Sequence, residues 1–123
     1  MASANDPEQV VTAYLRAIEA HEPERVRALL AESGFRYTSP IATFDDADHF
    51  LSYIMFTSGI LQRIQVRRTF VDQGDVCQFL VFHVQLSDKM AVDLVQWAHV
   101  RDGRIHSLEL LFDAHPYRRM FGS

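Results

Sequence analysis

An α+β fold, with helices gathered in the first half of the chain and an antiparallel sheet in the second, is predicted by three observations. Apolar residues between Val10 and Met55 recur at the three-and-four spacing of amphipathic helices. The stretch Val76 to Asp113 then reads as three long consecutive strands rich in Val, Leu, Phe and Trp, joined by Ser87-Asp88-Lys89 and by Asp102-Gly103. Asp-Gly between alternating runs is a strong hairpin signal, because a type I′ turn needs positive φ at both central positions. Finally, both faces of this meander are largely apolar, and such a sheet needs two covers. The preceding helices supply one of them.

Each element has its own signals. Asp6-Pro7-Glu8-Gln9 combines an Asp N-cap, Pro at the first helical position and an acid facing the macrodipole. The helix it opens runs to about Ala20, with Val10, Val11, Tyr14, Leu15 and Ile18 on its apolar stripe. Pro23 restarts the pattern, and Val26, Leu29 and Leu30 define a short second helix that Ser33-Gly34 ends. Phe35 to Ser39 alternates as a short strand closed by Pro40, and Ile41 to Phe44 reads as a loop. Asp45 and Asp46 cap a third helix carrying Phe50, Leu51, Tyr53, Ile54 and Met55, which closes near Ser58-Gly59. Gln62 to Asp72 alternates imperfectly and is expected nearest solvent, with Gln73-Gly74-Asp75 turning it into the meander. Ala114 to Phe121 suggests a terminal helical turn capped by Asp113.

Composition narrows the function classes. A chain of 123 residues forms one domain that buries a core without disulfides or metals. Twelve Lys and Arg against 16 Asp and Glu give a net charge of −4, which offers no basic field for nucleic acid or an anionic membrane. The single Cys77, mid-strand, is expected as a buried thiol in a reducing compartment. The first residues lack a basic segment followed by an apolar run, and no apolar stretch of roughly 18 residues occurs. A soluble cytoplasmic protein is expected.

The order helix, helix, short strand, helix, four long antiparallel strands resembles the nuclear transport factor 2-like superfamily, in particular its SnoaL-like and ketosteroid-isomerase-like members. The local carriers are Val10 to Ala17 on the first helix, Ser39-Pro40, and Val100-Arg101-Asp102-Gly103-Arg104-Ile105 across the last hairpin. The resemblance spans nearly the whole chain. It implies a single SnoaL-like domain over residues 1–123: a cone-shaped α+β barrel, its strongly bent antiparallel sheet wrapped around three N-terminal helices. It also implies a ligand pocket inside and a convex sheet face that pairs two protomers. Alternation places Val92, Leu94, Gln96, Ala98 and Val100 on one face of their strand, and Asp93, Val95, Trp97 and His99 on the other. Gln96 is assigned to the pocket. By the resemblance, His106, Leu108, Leu110 and Phe112 look inward, while Ile105, Ser107, Glu109 and Leu111 look outward.

Ketosteroid isomerases hold an oxyanion with a tyrosine and a protonated acid, and move a proton with a carboxylate. By resemblance Tyr14 matches the oxyanion tyrosine. The second donor falls on Gln96, the base on Ser39, and the supporting tyrosine of the third helix on Ile54, beside Tyr53. A serine without a partner base cannot abstract a carbon-bound proton near neutral pH, so steroid isomerisation is disfavoured. Tyr14 serves equally well as a core aromatic. His83 is the proton shuttle if its face looks inward, and otherwise a core or interface histidine. His99 reads as a dimer-face residue and His106 as a residue of the pocket mouth or of solvent. Asp48 and Asp113 read as helix caps, and Arg118-Arg119 as a solvated or dimer-rim pair. Six His without paired spacing make no metal site, and no cofactor is called for.

Two readings follow. One is a cofactor-free isomerase, cyclase or lyase acting on a small hydrophobic carbonyl compound, with Tyr14, Gln96 and His83 as catalytic groups. Ser39, Tyr53, Ile54, Leu108, Leu110 and Phe112 would bind its substrate. The other is a module of the same fold that holds a hydrophobic ligand without turnover. In both, the partners are the small ligand and a second copy of the chain, not nucleic acid or a membrane.

Overall fold

The computed structural model describes residues 6–85 and 87–115. Helix α1 (Pro7–Glu19) starts where Asp6 Oδ1 accepts from the amides of Glu8 and Gln9 at 3.0 and 3.3 Å. Its stripe of Val10, Val11, Tyr14, Leu15 and Ile18 is buried. Helix α2 (Pro23–Ala28) is shorter than its apolar pattern. Leu29 and Ala31 leave it to bond Ile105 at 2.8 and 2.9 Å, which pins the segment to the last strand. Ser33-Gly34 therefore does not end the helix; Gly34, at φ 75°, turns the chain into the first strand.

Strands β1 (Arg36–Thr38) and β2 (Thr43–Phe44) pair antiparallel, so the segment expected as a loop contains a short strand. Helix α3 (Ala47–Thr57) is capped by Asp46 Oδ1, which accepts from the amides of Asp48 and His49 at 2.8 and 3.0 Å. Those two bonds hold the Asp46 carboxyl below its ordinary pKa. A 3₁₀ turn (Ser58–Ile60) leads into β3 (Leu61–Asp72), β4 (Asp75–Gln85), β5 (Lys89–Arg101) and β6 (Arg104–Phe112). Asp102 and Gly103 have φ of 54° and 75°, the left-handed pair that a type I′ hairpin requires. At the far end of β6, Asp113 Oδ1 accepts from the His115 amide at 3.0 Å, while Arg118 and Arg119 lie outside the described residues.

The six strands form one curved, open sheet in the order β2-β1-β6-β5-β4-β3. It is mixed: β1 runs parallel to β6, with Tyr37 opposite Leu108, and the other pairings are antiparallel. The helices cover one face, giving the cone-like α+β architecture. On that inner face, Val76, Gln78, Leu80 and Val84 of β4 and Leu94, Gln96, Ala98 and Val100 of β5 are buried. A bulge between His99 and Val100 shifts the β5–β6 register, so Ile105, expected outward, is fully buried together with Leu108. Arg16 and Glu19 clamp α1 to the sheet. Glu19 accepts from the Ile64 amide at 2.7 Å, and Arg16 donates to the Ile64 carbonyl at 3.2 Å and to Glu19 at 2.8 Å.

Edge strand β3 is protected against stray pairing. It carries Arg63, Arg67 and Arg68 and two irregularities in register, both of which discourage a further strand from adding there. Where β3 turns into β4, a Cβ on Gly74 would meet the Val100 carbonyl oxygen at 2.6 Å, in a spot where the Gly74 carbonyl accepts from the Val100 amide at 2.8 Å. Gly74→Ala is therefore expected to destabilise the fold by about 1–3 kcal/mol, the usual cost of forcing atoms into a packed site. A urea unfolding curve superimposable on that of the unmodified chain would contradict this.

Candidate functional site

A cavity of about 100 Å³ lies between the C-terminal half of α3 and the inner face of the sheet. Tyr53, Ile54, Thr57 and Ser58 wall it on the helix side, and Ile18 and Tyr37 close one flank. Phe82 and Val84 of β4, Val92 and Leu94 of β5, and Leu110 and Phe112 of β6 form the sheet wall, with Leu61 beside them. These residues meet because alternation sends every second side chain of three adjacent strands inward, and α3 crosses above them. Among the described residues on its wall there is no carboxylate, imidazole, thiol or amine. Thr57 turns its hydroxyl back to donate to the Tyr53 carbonyl at 3.0 Å.

The structure brings together four residues singled out in the sequence: Tyr53, Ile54, Leu110 and Phe112 share this wall. It leaves the others elsewhere. Leu108 is buried in the core between Ala98 and Tyr37 and is not on the wall. Ser39 spends its hydroxyl on its own loop, accepting from the Ile41 and Ala42 amides at 3.3 and 3.2 Å. That local turn is the ordinary use of a serine before proline, and it removes Ser39 from any base position.

His83 projects from the opposite, outer face, because Phe82 and Val84 take the inner one. Its Nε2 is 3.1 Å from the Arg63 guanidinium and 3.2 Å from Gln65 Oε1, well away from the cavity. A guanidinium only donates, so in that contact His83 acts as the acceptor. His83 therefore supplies no proton shuttle to the cavity.

Tyr14 and Gln96 are both buried on the inner side but do not line the cavity. Burial, with a smaller contribution from the neighbouring Tyr37, raises the Tyr14 pKa well above that of a free phenol. The sign is definite: the fold favours the neutral phenol, so this contribution is complete below the unfolded tyrosine pKa of about 10 and is lost as pH rises toward the higher folded value. In a spectrophotometric titration, one tyrosine is expected to ionise late and together with alkaline unfolding. Tyr14→Phe should abolish that late step, and its persistence would contradict the assignment. Gln96 sits directly opposite Gln78 in the β4–β5 pairing. Gln78 donates to Thr69 Oγ1 at 3.2 Å, while Gln78 Oε1 and Gln96 Nε2 have no protein partner.

The outer face forms a second feature. Phe70, Cys77, Val95, Trp97 and Leu111 line an open groove of about 330 Å³, with Asp72, Asp75 and Glu109 along it. Phe70, Trp97 and Leu111 are 51%, 50% and 58% exposed, an unusual amount of contiguous apolar surface. Cys77, expected as a buried thiol, is half-buried in this groove, because inner positions of β4 fall to its neighbours Val76 and Gln78. Asp75 Oδ1 accepts from His99 Nδ1 and from Trp97 Nε1, each at 3.0 Å, and these bonds lower its pKa. Among the described residues, no three His, Cys, Asp or Glu side chains group as a metal ion needs, and no helix is long and apolar enough to cross a membrane.

No family model and no curated protein matches the chain in sequence. Solved structures match it closely in shape. A nuclear transport factor 2-like protein of unknown function from Burkholderia pseudomallei superimposes with a TM-score of 0.81 at 17% identity, over 99% of this chain and 100% of that one. A protein with a ketosteroid-isomerase-like fold from Catenulispora acidiphila, in complex with trimethylamine, gives 0.75 at 17% identity over 85% of each chain. An LEH-like epoxide hydrolase from M. tuberculosis gives 0.76 at 16% identity, covering 94% of this chain and 95% of that one. The chain has the nuclear transport factor 2-like fold.

Proposed function

We propose that this chain holds a small, largely apolar ligand in the cavity beneath α3 without transforming it. The observation that carries the reading is the composition of the wall, which is apolar apart from hydroxyl groups and offers no group that moves a proton near neutral pH. An isomerase, cyclase or lyase acting on a carbonyl compound needs such a group, and Tyr14, Ser39 and His83 are committed elsewhere. That similar folds carry trimethylamine or belong to an epoxide hydrolase supports a small-molecule role for the interior, while chemistry depends on side chains this wall lacks. The volume is near the roughly 150 Å³ in which an apolar cavity admits benzene. Ligands the size of one six-membered ring are therefore expected to raise the melting temperature. Val92→Phe, which pushes a ring into the cavity from the sheet, is expected to abolish the rise. A library of such compounds without effect on the unmodified chain, or turnover of any of them, would overturn the reading.

A second copy of the chain is the partner we propose for the outer face. An isologous contact requires a patch complementary to itself. This face carries Arg63 and Arg68 toward one end, Asp72 and Asp75 toward the other, and the apolar groove between them. The net charge of −4 argues against nucleic acid as a partner, and the single Cys77 suits a reducing compartment such as the cytoplasm.

A further inference from the structure

We infer that Ser58 is the hydrogen-bonding residue of the cavity, and that the ligand carries one neutral oxygen function, hydroxyl or carbonyl, on a hydrocarbon frame the size of a single ring. The inference rests on the cavity reading above. Among the described residues, three side chains have a buried polar atom without a partner: Ser58, Gln78 and Gln96. Only Ser58 stands on the cavity wall. It is 5% exposed and its Oγ bonds to nothing, although the adjacent Thr57 shows how readily a hydroxyl here reaches a helix carbonyl.

An unpaired buried hydroxyl destabilises the folded chain, so alanine would serve better at position 58 if packing were its whole task. A serine hydroxyl swings about one bond and both donates and accepts, which suits either an alcohol or a carbonyl. The wall has no cation, so a carboxylate or phosphate would enter uncompensated and is excluded.

The test is a protein-observed NMR titration with phenol, cyclohexanone and benzene on the unmodified chain and on Ser58→Ala. The inference predicts that the substitution weakens phenol and cyclohexanone about fivefold, the share of a typical net hydrogen bond, and leaves benzene unchanged. Ligand-free Ser58→Ala should melt at the same or a higher temperature than the unmodified chain. Equal effects on all three probes, or none, would overturn the role of Ser58 while leaving the cavity reading standing. A lowered melting temperature would show instead that the hydroxyl supports the fold, and failure of all three probes to bind the unmodified chain would overturn the cavity reading itself.

Discussion

Phe50→Ala is expected to cost the fold about 3–5 kcal/mol, the range found when a fully buried phenylalanine is truncated. Phe50 is wholly buried on α3, and its ring centroid lies 4.5 Å from that of Tyr37, 5.2 Å from Phe35 and 6.3 Å from Phe44. These rings join α3 to β1 and β2, where hydrogen bonding is sparse because the strands are only three and two residues long. Packing must supply what the short ladder does not. A domain of this size is stable by about 5–15 kcal/mol, so the loss takes a large part of the total. Phe56 on the same helix is 77% exposed, and Phe56→Ala should stay within about 0.5 kcal/mol. Comparable losses for the two variants in urea unfolding would show that α3 does not dock as described.

Trp97→Asp, combined with Leu111→Asp, is expected to turn a dimer at micromolar concentration into a monomer, weakening association by about a hundredfold or more. Large aromatic residues at the centre of an interface dominate its energy, and a buried unpaired carboxylate opposes it. Both positions lie on the outer face, where a charge leaves the helix-covered core undisturbed, so the circular dichroism spectrum and melting temperature of the separated subunit should stay normal. Sedimentation equilibrium reads the outcome. A monomer for the unmodified chain at tens of micromolar would contradict the pairing of two copies through this face.

Much of the architecture was legible because local signals agree with it. Asp6-Pro7, Asp46 and Asp102-Gly103 are used as caps and turn, and the two apolar stripes on α1 and α3 are the buried ones. The faces of β4 were not legible. Val76, Leu80 and Val84 compete with Cys77, Phe79 and Val81, so hydrophobicity alone gives no parity, and His83 could have belonged to either side. The register between β4 and β5 decides it by placing Gln78 opposite Gln96. Ile105 was misread for a different reason: a bulge inserts one residue, and simple alternation carried across it inverts the faces. Among the cavity residues, Tyr53, Ile54, Leu110 and Phe112 came from resemblance, while Thr57, Ser58, Phe82 and Val92 were missed. Correct parity on β4 would have found Phe82. Nothing in the sequence distinguishes Ser58, whose unpaired hydroxyl is a property of the packed chain.

The central claim is that small ligands enter the cavity beneath α3 and leave unchanged. The most direct measurement is a ¹H–¹⁵N correlation spectrum recorded during titration with phenol, followed by recovery of the compound. The account predicts saturable shifts concentrated on Tyr53 to Ser58, Val92, Leu94 and Leu110, with phenol recovered intact. Shifts centred on Trp97, Cys77 and Leu111 of the outer groove, or no saturable shifts at all, would contradict it.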